Sequence, residues 1–149
     1  MHAYRAKLTP AAAWKPGETG FVVTFPEGGW GVTQGETEAE TLAMAEDALD
    51  AVIAAQIEAG AELPYPIAGE LAPDERLVPT APQTAAVVAL YEAMRAAGVS
   101  ESELAGRLAV NERKVRHMLD PRRSASLPDL DAALRVLGRR LVVEARDAA

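Results

Sequence analysis

The sequence lacks cysteine and has few histidines or aromatic residues. There are no Cys and two His among 149 residues, and Phe, Trp and Tyr together make up 5%. Without cysteine the chain can form neither a disulfide framework nor a thiolate metal site. No apolar run approaches the roughly 18 residues of a membrane span, and the amino terminus lacks the apolar segment of a signal peptide. We therefore expect a cytoplasmic protein that carries no metal and no other cofactor.

Positive charge is scarce too, and it is unevenly distributed. The formal net charge is −7. Residues 1–79 contain four Lys/Arg and 13 Asp/Glu, a balance of −9, whereas residues 80–149 contain 11 and nine, a balance of +2. Six of the basic residues fall within 107–123. An acidic half joined to a locally basic half is the asymmetry expected of a protein that engages two different partners.

The composition and the prolines indicate two small folded domains. Hydrophobic residues make up 49% of the chain and charged residues 25%, as in folded proteins. Five of the ten prolines lie within residues 61–82, which marks a domain boundary. We predict an α+β protein with a first domain at 1–79 and a second at 80–149. A core of that size gives only about 3–5 kcal/mol of stability, so we also expect a homodimer or a higher homo-oligomer.

The first half has the pattern of a small antiparallel sheet. Apolar and polar residues alternate over Ala3–Leu8, which predicts a strand with one buried face. The runs Phe21–Phe25 and Trp30–Thr33 are rich in β-branched and aromatic residues, and they predict two further strands of a meander. Arg76–Val78 is a candidate fourth strand.

One long helix follows the three strands. Thr37 and Glu40 form a capping box that predicts its start, and Gly60 predicts its end. The predicted apolar face consists of Leu42, Ala45, Leu49, Val52, Ile53 and Ile57. The acidic residues lie largely outside that face, at Glu46, Asp47, Asp50 and Glu58. This acidic side fits either an ordinary solvated surface or a binding surface.

Nothing in the sequence predicts a catalytic site. A metal-dependent nuclease needs several carboxylates that converge from strands and helices on two cations. The first and third predicted strands carry no Asp or Glu, and the two histidines, His2 and His117, lack the neighbours of a catalytic triad or a metal cluster. We therefore expect a protein that is not an enzyme.

The second half has the pattern of a helix-turn-helix domain. An apolar stripe runs through a first helix between Pro82 and Gly98, and a capping box at Ser100 opens a second, shorter helix. Ala109–Asn111 is a three-residue turn, after which Asn111 can cap a third helix. A fourth helix is predicted between Ser126 and Gly138, and Leu141–Val143 is a possible last strand.

The third of these helices carries basic residues on one side. With its apolar residues inward, the outward side presents Arg113, Arg116 and His117, with Lys114 on the flank. A helix of this length fits the major groove of B-DNA, where we expect Arg113 and Arg116 to contact base edges. Lys114, Arg122 and Arg123 are predicted to contact phosphates. The alternative is a solvated basic helix with no nucleic-acid partner.

Two segments resemble known families. Ser102–Val110, followed by Val115, resembles the helix-turn-helix of Cro-type repressors, although the turn position usually held by Gly is Ala109. Upstream, Gly20–Glu27, Thr33–Thr37 and the acidic helix that leads to Leu63-Pro64 resemble the HicB antitoxin family. The main departure is Gly28-Gly29-Trp30, where members of that family usually have a more apolar Leu-Pro-Gly turn.

The resemblance to HicB antitoxins implies both a fold and a function. It implies a partial ribonuclease H-like first domain that binds and neutralises HicA, a small basic RNA-cleaving toxin, and a second domain that represses the operon by binding DNA. The sheet face and the acidic helix are then the expected toxin surface, and the candidate residues are Phe25, Trp30, Glu46, Asp47 and Asp50. An acidic domain set against a basic toxin is electrostatically complementary.

Two other functions remain as alternatives. One is a stand-alone transcription regulator whose first domain senses a small ligand. The other is an active ribonuclease H-like enzyme, which is disfavoured because the first strand offers no acid to a metal ion.

Overall fold

The computed structural model describes residues 3–26, 30–63 and 69–147. The chain forms two compact units, one ending at Ala85 and the other beginning at Ala86. A short 3-10 turn, Ala11–Ala13, follows the first strand. The elements in chain order are β1 (Ala3–Pro10), β2 (Phe21–Phe25), β3 (Trp30–Gly35), α1 (Glu38–Glu58), β4 (Glu75–Pro79), α2 (Pro82–Ala97), α3 (Glu101–Leu108), α4 (Glu112–Met118) and α5 (Leu127–Val136).

The four strands form one antiparallel sheet in the order β3-β2-β1-β4. In the register of the sheet, Leu8 of β1 lies opposite Val23 of β2, and Tyr4 lies opposite Val78 of β4. Consecutive strands β1, β2 and β3 are neighbours, which is the predicted meander, and β4 pairs with the other edge of β1. The predicted α+β class and all four predicted strands of the first half are therefore confirmed.

The core of the first unit lies between the sheet and α1. Tyr4, Ala6 and Leu8 are buried along β1 as their alternation predicts, and α1 packs against β2, β3 and β4. The buried residues of α1 are Thr41, Ala45, Leu49, Ile53, Ala54 and Ile57. Two residues of the predicted apolar face, Leu42 and Val52, are only half-buried, because they lie at the borders of that face.

The start of α1 is held close to the end of β3. The Thr37 hydroxyl accepts a hydrogen bond from the Glu40 N–H at 3.1 Å, as the capping box predicts. The Glu40 carboxylate accepts from the N–H of Glu36 at 3.1 Å, one residue before the cap. A Cβ on Gly35 would lie 2.9 Å from the backbone nitrogen of Thr41. Glycine at this position therefore lets the strand run directly into the helix.

In the described part of the second unit, all regular secondary structure is helical. The stripe of α2 is buried at Val87, Leu90 and Met94, and Gly98 ends the helix with a φ of 64°. The other helices contribute Leu104, Ala105, Val115, Met118, Leu119, Leu130, Ala133 and Leu134 to the core. Each of the four helices predicted for the second half is therefore confirmed.

The predicted last strand does not form. Leu141–Val143 has no regular secondary structure, and the side chains of Val142 and Val143 are 78% and 72% exposed. A strand needs a neighbour to pair with, and no strand is described from Ala86 onward. The N–H of Leu141 instead donates to the Asp131 carboxylate at 3.0 Å.

Three features predicted from the sequence lie outside the described residues. They are the turn at Gly28-Gly29, the prolines Pro64 and Pro66 of the boundary segment, and His2.

Candidate nucleic-acid interface and the acidic helix

The helices α3 and α4 are the two that the sequence predicts as a helix-turn-helix pair, and each begins at a side-chain cap. The Ser100 hydroxyl accepts from the Glu103 N–H at 3.1 Å, and the Asn111 side chain accepts from the Lys114 N–H at 2.8 Å. These caps satisfy amide groups that have no partner within the helix. The two helices pack against each other across the turn.

Ala109 occupies the left-handed position of the turn, with φ 54° and ψ 42°. It is the one residue other than glycine that has a positive φ in the described parts of the chain. The Val110 N–H donates to the Ala105 carbonyl at 3.0 Å, and the Ala109 N–H donates to the Gly106 carbonyl at 3.3 Å. This helix ending usually employs glycine. The departure noted in the sequence therefore puts a Cβ where it is unfavourable.

Replacing Ala109 with glycine is expected to raise the free energy of unfolding by up to about 1.5 kcal/mol. A left-handed alanine costs about 1–2 kcal/mol, and the greater freedom of glycine in the unfolded chain offsets about 0.5–1 kcal/mol of that gain. Chemical denaturation of the full chain measures the change. The matched control is Ala132→Gly, at a solvent-exposed position within α5. This variant is expected to lose about 1 kcal/mol of unfolding free energy. A loss in both variants would contradict the strain assigned to the turn.

The basic side chains of α4 lie on its solvent-facing side. Val115 and Met118 are buried, whereas all four predicted contacts on this helix are exposed: Arg113, Lys114, Arg116 and His117. An open cavity of about 460 Å³ lies between α4 and the start of α5. Its lining includes Arg113, Lys114 and His117 of α4, together with Ser124 and Ser126. Arg116, Arg122 and Arg123 do not line this cavity.

Acidic residues accompany most of these cations. Lys114 Nζ lies 3.4 Å from an Asp129 oxygen, and Arg116 Nε lies 3.8 Å from a Glu101 oxygen. Asp120 pairs with both Arg122 and Arg123. Among the described residues, no ion pair involves Arg113. Sequence reasoning missed these acids, although Asp120 lies only two residues before Arg122 and could have been found from that spacing.

The Asp120 carboxylate is held in its charged form. The side-chain hydrogen bond from Arg122 lowers the pKa of Asp120 below its ordinary value, and this effect outweighs burial, which acts in the opposite direction. Asp131 on α5 behaves similarly, because the backbone hydrogen bond from Leu141 lowers its pKa against a smaller opposing effect of burial. Both carboxylates therefore lose their charge at a lower pH than an ordinary aspartate does.

The acidic side of α1 differs in part from the prediction. Glu46 and Asp47 are exposed, whereas Asp50 is half-buried and its carboxylate accepts a hydrogen bond from the buried Thr84 hydroxyl. Phe25 is 2% exposed and belongs to the core, so its side chain is not available to a partner. Trp30 lies in β3, but its side chain is outside what the structure describes. Glu46 and Asp47 thus remain the accessible part of the predicted toxin surface.

The described parts of the chain contain neither a metal site nor a membrane span. Over residues 3–26, 30–63 and 69–147, no group of three or more His, Asp or Glu side chains is arranged to hold a metal ion. No helix in the described part of the chain is both long and apolar enough to cross a bilayer.

Three known proteins that are similar to this chain share one name, Antitoxin HicB. No model of a protein family matches the chain. The chain is 32% identical to Antitoxin HicB 2 of Photorhabdus laumondii subsp. laumondii over 124 residues, which cover 83% of this chain and 86% of that protein. It is 29% identical over 126 residues to Antitoxin HicB 1 of the same organism, with 85% and 79% covered. It is 33% identical over 109 residues to Antitoxin HicB of Pseudomonas fluorescens, with 73% and 74% covered.

Proposed function

Because this chain belongs to the HicB antitoxin family, we propose that it neutralises a HicA-like RNA-cleaving toxin through its first unit and represses its own operon through its second. The names of the relatives support the antitoxin role as such. The toxin partner and the DNA partner are inferred from the surfaces of the two units.

DNA binding is supported above all by the outward side of α4. Arg113, Arg116 and His117 are exposed, and the opposite side of the helix is anchored in the core by Val115 and Met118. An α-helix with its side chains is about 10–12 Å in diameter, which suits a major groove about 12 Å wide. Arginine can donate two hydrogen bonds to one guanine edge. Arg113, near the start of the helix, is the residue we expect to contact a base directly, with Arg116 and His117 beside it.

The flanking cations suit phosphate binding. Lys114 lines the cavity between α4 and α5, together with Ser124 and Ser126. Arg122 and Arg123 are exposed in the segment that follows α4. Contacts of this kind add affinity without selecting a sequence. Two copies of the chain would place two such helices on half-sites about one helical turn apart.

Toxin binding is supported by charge. Residues 1–79 carry a balance of −9, and Glu46 and Asp47 are exposed on α1. A small RNA-cleaving toxin is expected to be basic, because it must bind phosphates. Opposite fields accelerate the encounter of two proteins and disfavour wrong partners. The direct test is co-purification of the full chain with the product of a small neighbouring gene, and failure to form a complex would contradict this function.

Reversing both exposed acids of α1, with Glu46→Lys and Asp47→Lys, is expected to slow association with a basic toxin by about tenfold or more at low salt. The loss should shrink at high salt, because surface charges are screened. Rapid-mixing kinetics measures the rate. The control reverses two other exposed acids, Glu62 and Glu70, which gives the same net charge. Equal slowing by both pairs would show that only the overall charge matters, and not this face of α1.

A further inference from the structure

One carboxylate, that of Asp120, contacts two of the arginines predicted to bind phosphates. Its Oδ1 accepts from Arg122 Nε at 3.0 Å, and its Oδ2 accepts from Arg122 Nη2 at 3.2 Å. Arg123 Nε lies 3.6 Å from Oδ2. The Asp120 side chain is 21% exposed, whereas those of Arg122 and Arg123 are 57% and 63% exposed. The arginines are therefore accessible to DNA while an acid of their own chain neutralises them.

The same arrangement recurs at the third predicted phosphate contact. Lys114 pairs with Asp129 of α5 at 3.4 Å. Each cation predicted to bind phosphate thus has an internal acidic partner. Of the two predicted base contacts, Arg116 lies 3.8 Å from Glu101, whereas Arg113 forms no ion pair with the residues described. All three contacts that carry no sequence information are therefore neutralised within the chain, whereas one of the two predicted base contacts, Arg113, is not.

The physical consequence concerns binding that does not depend on sequence. A free cation that meets a phosphate releases a counterion from DNA, and this release supplies nearly all of the non-specific affinity. An arginine that must first leave a carboxylate exchanges one ion pair for another, so most of that gain is lost.

We propose that Asp120 is an internal competitor for DNA phosphate, which limits the sequence-independent affinity of this domain by occupying Arg122 and Arg123. This inference rests on the proposed DNA-binding function. Its effect is to leave more of the protein free of random DNA, and so available to the operator and to the toxin.

Asp120→Asn separates this charge effect from the local structure. The Asp120 carboxylate also accepts a hydrogen bond from the Arg122 N–H at 3.0 Å, which closes a tight turn. An asparagine side-chain carbonyl can accept the same bond. The variant therefore keeps the turn and removes the negative charge.

The test measures binding of the full chain to two labelled duplexes, one of random sequence and one from the region upstream of its own gene. Fluorescence anisotropy is recorded from 50 to 200 mM NaCl. The Asp120→Asn variant is expected to bind the random duplex about three- to tenfold more tightly, with a salt slope steeper by up to about 0.9 for each arginine released. A second variant, Asp129→Asn, releases Lys114 and is expected to steepen the slope by up to about 0.9. Asp129→Asn does not touch the turn at Asp120, so its result does not depend on whether that turn is kept.

The matched control is Asp131→Asn. Asp131 has a similar exposure of 26% and pairs with Arg135 at 2.8 Å, but Arg135 is not a predicted DNA contact. This variant is expected to leave the affinity and the salt slope within about twofold of wild type, because the cation that it releases is not one that meets phosphate. Unchanged or weaker binding by both Asp120→Asn and Asp129→Asn, with the wild type binding DNA, would overturn the inference. A wild-type protein that binds neither duplex would instead contradict the proposed DNA-binding function itself.

Discussion

Replacing Arg113 with alanine is expected to weaken operator binding by about 1–3 kcal/mol, or about five- to 150-fold. The change should also relax the base preference at one position of each half-site. Arg113 is exposed on the outward side of α4, and a bidentate contact with guanine would be lost with its side chain. Competition binding with a set of singly substituted operator duplexes measures both effects.

Arg122→Ala is the comparison for this experiment. Arg122 lies beyond the end of α4, and its predicted partner is phosphate. Its loss should therefore weaken binding to the same degree on every duplex. Both variants keep the buried residues of α4 unchanged, so folding is not expected to differ. If Arg113→Ala also weakened all duplexes evenly, the assignment of α4 to the major groove would be wrong.

Gly20→Ala is expected to cost about 2–5 kcal/mol of unfolding free energy. Gly20 has a φ of 84°, and a Cβ built on it would lie 2.2 Å from the Gly35 carbonyl oxygen and 3.0 Å from Glu36 Cα. The left-handed backbone costs a side chain about 1–2 kcal/mol, and displacing the backbone at the end of β3 adds about 1–3 kcal/mol. Chemical denaturation of the full chain measures the loss.

A nearby glycine provides the control for this substitution. Gly17 has a φ of 88°, but a Cβ there would meet nothing within 4 Å. Gly17→Ala is therefore expected to cost only the backbone term of about 1–2 kcal/mol. The difference between the two variants isolates the contact between the β1–β2 connection and the end of β3. Equal losses would mean that this contact contributes nothing.

Much of the fold could be predicted because its signals are local. The alternation in β1, the glycine that ends α2 and the caps of α1, α3, α4 and α5 each depend on a few neighbouring residues. The predicted hydroxyl cap at Thr37 and the predicted amide cap at Asn111 both form. The order of the first three strands followed from their short connections, since such strands usually pair with their neighbours in sequence. The position of β4 beside β1 was not predicted.

The errors arose where an outcome depends on residues that are distant in sequence. Phe25 is a large aromatic residue of the kind that often contacts a partner. It is buried instead, and α1 packs against the strand that carries it. Asp50 is engaged by Thr84, which lies 34 residues later in the chain. The apolar run Leu141–Val143 has strand-forming residues, but no strand edge is described in its unit. In each case the local pattern was identified correctly, but the residues that pack against it, or fail to pair with it, lie far away in the sequence and could not be identified.

The predicted DNA contacts show the same limit. Periodicity placed Arg113, Arg116 and His117 on the exposed side of α4, and the structure has them there. The acids that pair with Lys114 and Arg116 come from α5 and α3. Periodicity within one helix carries no information about them. The position of the basic surface could therefore be predicted from the sequence alone. Its net charge could not, because the acids that pair with its cations come from other helices.

The most direct test of two separate binding surfaces is a paired equilibrium measurement on the full chain. Operator duplex and the toxin partner are each titrated with Arg113→Ala and with the double variant Glu46→Lys, Asp47→Lys. We expect Arg113→Ala to lose operator affinity about five- to 150-fold while keeping wild-type affinity for the toxin. We expect the double variant to lose affinity for the toxin while keeping wild-type affinity for the operator. Loss of both partners by either folded variant, or wild-type operator affinity in Arg113→Ala, would contradict the account.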